Sequence, residues 1–213
     1  MTRYPVRQAL PSIKLAQASW ALPLVGMVAM LPAAFILWLW GAQASILVMT
    51  AMILATGALH EDGWADVWDA AGGSRVAKRQ DILKDSRVGT YGVLAIGLVL
   101  LARWQGLDTI TPLQLVAMGG ISRGVTVLAF RKRWQTGEGL GGHVGTISNT
   151  QILWVSVQLF CLLLLFSWPV WLLVSVGFIA MLAFLRRLFK GLNGDGYGAL
   201  IIAAEMAIWL GLW

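Results

Sequence analysis

Charge is what this chain lacks. Only 12% of its 213 residues are Asp, Glu, Lys or Arg, about half of what a soluble domain carries. Together with 58% hydrophobic residues and a mean hydropathy of +0.74, that scarcity excludes a soluble globular protein and points to an integral membrane protein. Cysteine is nearly absent: Cys161 stands alone, permits no internal disulfide, and reads as a small apolar residue facing lipid or a helix. No internal repeat, low-complexity tract or soluble domain interrupts the sequence, so residues 1–213 read as a single transmembrane domain. No base-stacking module accompanies the net charge of +6, which argues against nucleic acid as a partner.

Apolar stretches of spanning length run near 18–40, 43–59, 90–107, 111–130, 151–167, 168–185 and 197–213. They predict an all-α bundle of about seven transmembrane helices. The run from Trp20 to Trp40 exceeds the core of a cleaved signal peptide and reads as a retained first span. Pro23 and Pro32 are expected to kink or divide it. Trp20, Trp38, Trp40, Trp104, Trp134, Trp154, Trp168 and Trp213 fall near span ends, as an aromatic belt does. One set of loops holds Arg3, Arg7 and Lys14; Arg75, Lys78, Arg79, Lys84 and Arg87; Arg131, Lys132 and Arg133; and Arg186, Arg187 and Lys190. The opposite loops hold no Lys or Arg, which predicts a cytoplasmic N-terminus and a C-terminus across the membrane. Only Arg103 and Arg123 fall outside this partition.

Against so little charge, five of the ten acidic residues (Asp62, Asp66, Asp69, Asp81 and Asp85) occupy 24 positions. In a helix the first three share one face within about 60°. Bare carboxylates that close repel one another, and a divalent cation, which prefers oxygen ligands, would reverse the balance. Asp81 and Asp85 form a second i, i+4 pair beyond Gly72-Gly73-Ser74, and two short helices meeting at that hinge would bring both sets together. Arg75, Lys84 and Arg87 would then stand beside the metal. Clustered Asp with a metal, Arg and Lys is what attack on phosphorus requires. A solvated loop of alternating charge is the plainer alternative, although it does not need Asp at 62, 66 and 69.

Four other places could join that chemistry. His60 is either a general base on an attacking hydroxyl or a cap; a helix beginning before residue 60 would turn it away from Asp62. Asp195, in Asn193-Gly194-Asp195-Gly196, belongs to a turn or adds a phosphate or metal contact, and Gly137–His143 is a weak glycine-rich signal. Arg123 and Glu205 lie within spans, where an unpaired charge costs about 2–3 kcal/mol or more. They are expected to pair directly or to face one polar cavity, in which Arg123 would meet a substrate phosphate.

The stretch His60-Glu61-Asp62-Gly63-Trp64-Ala65-Asp66-Val67-Trp68-Asp69, followed by Lys84-Asp85-Ser86-Arg87-Val88-Gly89-Thr90-Tyr91-Gly92, resembles the cobalamin synthase family of membrane-bound adenosylcobinamide-GDP ribazoletransferases. Ser122-Arg123, Glu138-Gly139-Leu140-Gly141, and Gly194-Asp195-x-x-Gly198-Ala199 before Glu205 extend the resemblance through most of the chain. Trp64, Ala70 and Asp81 depart from the family's usual Leu, Gly and Glu. The resemblance implies a Mg²⁺-dependent transfer of α-ribazole, or its 5′-phosphate, to adenosylcobinamide-GDP with release of GMP. The site would face the cytoplasm from a bacterial inner membrane. It also implies a metal set of Asp62, Asp66, Asp69, Asp81 and Asp85, catalytic roles for His60, Asp62, Lys84 and Arg87, and substrate contacts from Arg75, Ser86, Arg123 and Asp195. Partners would be these small molecules and the lipid bilayer, with homo-oligomer formation open. Two alternatives remain at this point: a CDP-alcohol phosphatidyltransferase, whose motif is not met at Leu59 and after Ala65, and a transporter, whose acidic cluster would lie at mid-membrane.

Overall fold

The computed structural model describes residues 15–72, 87–130 and 147–213. Every regular element among them is helical. A short helical turn, Leu15–Ala18, and a 3₁₀ turn, Ser19–Ala21, lead into α1 (Leu22–Trp40). Then follow α2 (Ser45–Thr56), α3 (Leu59–Gly72), α4 (Thr90–Gly106), α5 (Pro112–Val127), α6 (Asn149–Leu163), α7 (Trp168–Phe189) and α8 (Gly194–Leu212). Each of the seven apolar stretches becomes a helix. By length and composition, Ser19–Thr56, Trp168–Phe189 and Gly194–Leu212 are able to cross a membrane.

The lipid-facing surface and the core divide as a membrane protein requires. Trp20, Trp38, Trp40, Trp104, Trp154, Trp168 and Trp213 are all exposed, and so is Cys161, whereas Trp209 is fully buried. Trp134 lies outside the described residues. The expected break in α1 does not occur. Pro23 sits in the first turn, where its missing N–H is not needed, and the helix continues through Pro32. The helix α1 packs most extensively on α5, and the two backbones touch where Gly26 meets Gly119. A Cβ on either glycine would strike the other's carbonyl oxygen. Small residues at such a crossing let helices approach closely where lipid supplies no hydrophobic drive.

The larger departure concerns the acidic segment. The helix expected through Asp62, Asp66 and Asp69 forms, as α3, but it is folded into the bundle instead of lying in a connecting segment between spans. After α2, Gly57 and Ala58 both adopt positive φ, 63° and 58°, and the N–H of Ala58 donates to the Ile53 carbonyl at 3.0 Å. That left-handed pair ends α2 and starts α3 in a new direction. Buried Gly63, Ala65, Val67 and Ala70 give α3 a small-residue face that packs on α8 and α4. Its course is antiparallel to both. A Cβ on Gly63 would lie 2.9 Å from the Asp195 carbonyl, and one on Gly198 3.5 Å from His60 Cα. Glu61 meets Arg103 near the far end of α4, and Asp69 meets Gly89 and Gly92 at its start. The first turn of α3 is therefore deep in the bundle, and its Asp66–Asp69 turn emerges at the end where α4 and α8 begin.

Candidate active site

Two kinds of acid lie along α3. Glu61 belongs to a buried ladder: Arg103 Nη1 donates to Glu61 Oε1 at 2.7 Å, and Arg103 Nη2 donates to Glu205 Oε2 at 2.9 Å. Arg123 Nη1 donates to Glu205 Oε1 at 2.7 Å and to Ser122 Oγ at 2.9 Å. The ladder joins α3, α4, α5 and α8, with two carboxylates matched by two guanidiniums. Of the two outcomes expected for Arg123 and Glu205, the direct pair is the one found. The pairing satisfies charges that apolar surroundings would otherwise penalise by several kcal/mol. It is not saturated, since Glu61 Oε2 and Arg103 Nε are buried without a partner among the described residues. Arg103 and Glu61 have no place in the site expected from sequence. The signal for Arg103 was there: like Arg123, it broke the basic-loop pattern, and a lone cation in an apolar run calls for a buried acid.

His60 touches the same ladder. Its Nδ1 lies 3.2 Å from Arg123 Nη2. Arginine only donates, so Nδ1 accepts and the neutral ring carries its proton on Nε2. Since α3 begins at Leu59, His60 and Asp62 are about 200° apart on the helix. The ring thus has Nδ1 occupied by Arg123 and lies on a different side of α3 from Asp62.

The other acids sit on the opposite side. Asp62 is exposed, and Asp66 and Asp69 are half-buried. Neither Asp62 nor Asp66 accepts a hydrogen bond or pairs with a cation among the described residues. Asp66, beyond the start of α8 and so outside its span, has its pKa raised to about 7, first by burial and then by Asp195, Asp62 and Asp69. Asp195 accepts from Asn193 Nδ2 at 2.9 Å, while Asn193 Oδ1 caps α8 by accepting from the Gly196 N–H at 2.9 Å. The Asn-Gly-Asp-Gly stretch is thus a helix cap that also brings Asp195 up to α3. Asp69 is occupied differently: Oδ2 accepts from the Gly89 N–H at 2.7 Å and Oδ1 from the Gly92 N–H at 2.8 Å.

Asp62, Asp66 and Asp195 supply the hard oxygen donors that a divalent cation takes, and burial, with the nearby charges of Asp195, Asp62 and Asp69 adding to it, raises the pKa of Asp66, a penalty on its charged form that such an ion would offset. The donor set therefore fits Mg²⁺ in its chemistry. Among the described residues, no group of three His, Cys, Asp or Glu is poised to hold an ion unaided. Arg87 is exposed, two residues before Gly89. Arg75, Asp81, Lys84, Asp85 and Ser86 lie outside the described residues, as does the glycine-rich loop at 137–143.

On the far side of α3, Trp64 and Trp68 pack edge to face at 5.5 Å, and Trp68 stacks on Phe184. Apolar grooves of about 430 and 360 Å³ flank this pair. The aspartates thus line one face of a helix whose opposite face is aromatic.

Comparison with known proteins identifies the family. The profile of the family described as cobalamin-5-phosphate synthase matches residues 1–213. An adenosylcobinamide-GDP ribazoletransferase from Mesorhizobium japonicum is 36% identical over 92% of this chain and 82% of its own. Proteins of the same name from Rhizobium johnstonii and Vibrio cholerae are 30% and 33% identical over 88% and 77% of this chain, and 82% and 68% of their own. No solved structure matches the chain. With an all-helical membrane bundle and a match along its whole length, the chain belongs to the cobalamin-5-phosphate synthase family.

Proposed function

We propose that this protein joins α-ribazole, or α-ribazole 5′-phosphate, to adenosylcobinamide-GDP and releases GMP, a late step of cobalamin biosynthesis. The observation that carries the reading is the division of acids on α3. Glu61 and Asp69 are committed to protein partners, whereas Asp62 and Asp66 face outward, crowded and without partners among the described residues. A ribose hydroxyl gives up its proton to solvent as its oxygen bonds to the phosphorus attached to the aminopropanol arm, and the bond from that phosphorus to the oxygen of GMP breaks, the electron pair leaving with GMP. Mg²⁺ bound by Asp62 and Asp66, with Asp81, Asp85 or Asp195, would offset charge on the phosphate oxygens. Arg87, with Lys84 and Arg75, places positive charge for the departing phosphate, and Ser86 is a further phosphate contact. Arg123 is paired with Glu205 and hydrogen-bonded to His60 on the side of α3 away from Asp62, so this reading assigns neither a contact with the transferred phosphate. Membership of this family displaces the phosphatidyltransferase and transporter alternatives.

Purified protein supplied with adenosylcobinamide-GDP, Mg²⁺ and either acceptor should release GMP in step with product, and a chelator should stop it. No GMP release with either acceptor would overturn the assignment. We further place the protein in a bacterial inner membrane with the Asp66–Asp69 end cytoplasmic, because the basic clusters flank that end. A reporter fused after residue 89 should read cytoplasmic and one at the C-terminus the opposite side; the same side for both would refute the topology.

A further inference from the structure

We propose that Asp69 is a positioning residue that clamps the Arg87–Gly92 turn to the acidic helix, and that it is not a metal ligand. The proposal rests on the ribazoletransferase reading only for what Arg87 does once placed. The structure supplies three observations. Both carboxylate oxygens of Asp69 are engaged, at 2.7 and 2.8 Å, by the N–H groups of Gly89 and Gly92. Gly89 is the residue that precedes the first turn of α4, and its own position offers no side-chain cap. The first N–H groups of a helix have no partner within it, and a carboxylate there is favoured by hydrogen bonding and by the helix dipole. Asp69 therefore caps α4 from another helix.

The third observation is steric. A Cβ on Gly89 would lie 2.5 Å from Asp69 Oδ1, and a Cβ on Gly92 would strike Asp69 Oδ2 and come within 3.1 Å of Ala65 Cβ. Neither glycine has a positive φ, so what disfavours a side chain at either is this carboxylate, which a Cβ would push off its backbone donors. One contact thus ties the last aspartate of His60–Asp69 to the Gly89-Thr90-Tyr91-Gly92 turn, and keeps Arg87, two residues before Gly89, at the Asp66–Asp69 end of α3. A carboxylate withdrawn from its two backbone donors to ligate an ion would release that turn.

Hydrogen exchange of full-length protein in metal-free buffer reads the clamp directly. Asp69→Asn and Asp69→Ala should speed exchange at the Gly89 and Gly92 amides by about five- to thirtyfold, the range a lost cap implies, with Ala above Asn. Asp62→Asn should leave those amides unchanged. Mn²⁺ binding, followed as the free ion's resonance signal, should be kept within about twofold by Asp69→Asn and by Gly92→Ala and weakened more than tenfold by Asp62→Asn. Unchanged exchange in both Asp69 variants overturns the proposal. So does loss of Mn²⁺ in Asp69→Asn equal to that in Asp62→Asn while Gly92→Ala still binds. If wild-type protein takes up no Mn²⁺, the metal reading of the site fails, and the exchange result alone decides the clamp.

Discussion

Glu61 and Asp62 are adjacent in the chain and about 100° apart around α3, yet they occupy different chemical worlds. Glu61 is 8% exposed and hydrogen-bonded to Arg103 inside the bundle; Asp62 is exposed beside Asp66. The same functional group serves cohesion on one face and is left available for a ligand on the next. The comparison shows that a carboxylate's role here follows from which helix stands opposite, because α4 supplies a guanidinium to one face and no described cation pairs with the other.

The buried side should be the more costly to disturb. Glu205→Gln removes a charge shared by Arg103 and Arg123, and breaking a buried pair from one side typically costs about 3–5 kcal/mol. Chemical denaturation in detergent should show a loss of that order or failure to accumulate, whereas wild-type stability would mean the ladder does not hold the bundle. Asp62→Asn should do the reverse. Its thermal midpoint should stay near wild type while turnover at saturating Mg²⁺ falls about 10²-fold or more, as when a charge-stabilising contact is lost. Equal damage to stability and turnover in both variants would erase the distinction between the two faces.

The smallest effect belongs to Asp66. Its folded pKa, near 7, stands above the ordinary aspartate value of 3.8, so between those limits the folded protein holds a proton that the unfolded chain has lost. The stabilisation this gives is complete below about pH 4, declines as pH rises towards 7 and is gone above it. Without divalent cations, wild type should lose stability relative to Asp66→Asn across that window, and added Mg²⁺ should shrink the difference. Parallel stability curves for the two proteins would show that Asp66 is not crowded by its neighbours.

Much of this was legible in the sequence, and the parts that were not share a cause. Apolar runs disclose membrane helices because the bilayer tests hydropathy over about 20 residues at a time, and the Asp62, Asp66, Asp69 spacing discloses a shared face because helical periodicity is local. The break at Gly57-Ala58 was not legible, since Ala at positive φ carries no sequence signal, and so the acidic helix was expected between spans and not packed inside the bundle. His60 as a base, and Asp69 as one more ligand, followed from residue type and spacing alone. In the structure His60 Nδ1 accepts from Arg123, 63 positions away, and the Asp69 carboxylate accepts from Gly89 and Gly92, 20 and 23 positions away, partners that spacing along one helix does not announce.

By itself, then, the sequence determined a helical membrane protein with its acids gathered on one short segment, because hydropathy and helical period act between near neighbours. Only the tertiary structure decided which of those acids are spent on the fold. A carboxylate is neutralised by whatever donor packs within about 3 Å of it, and for Glu61, Asp69 and Glu205 those donors come from other helices.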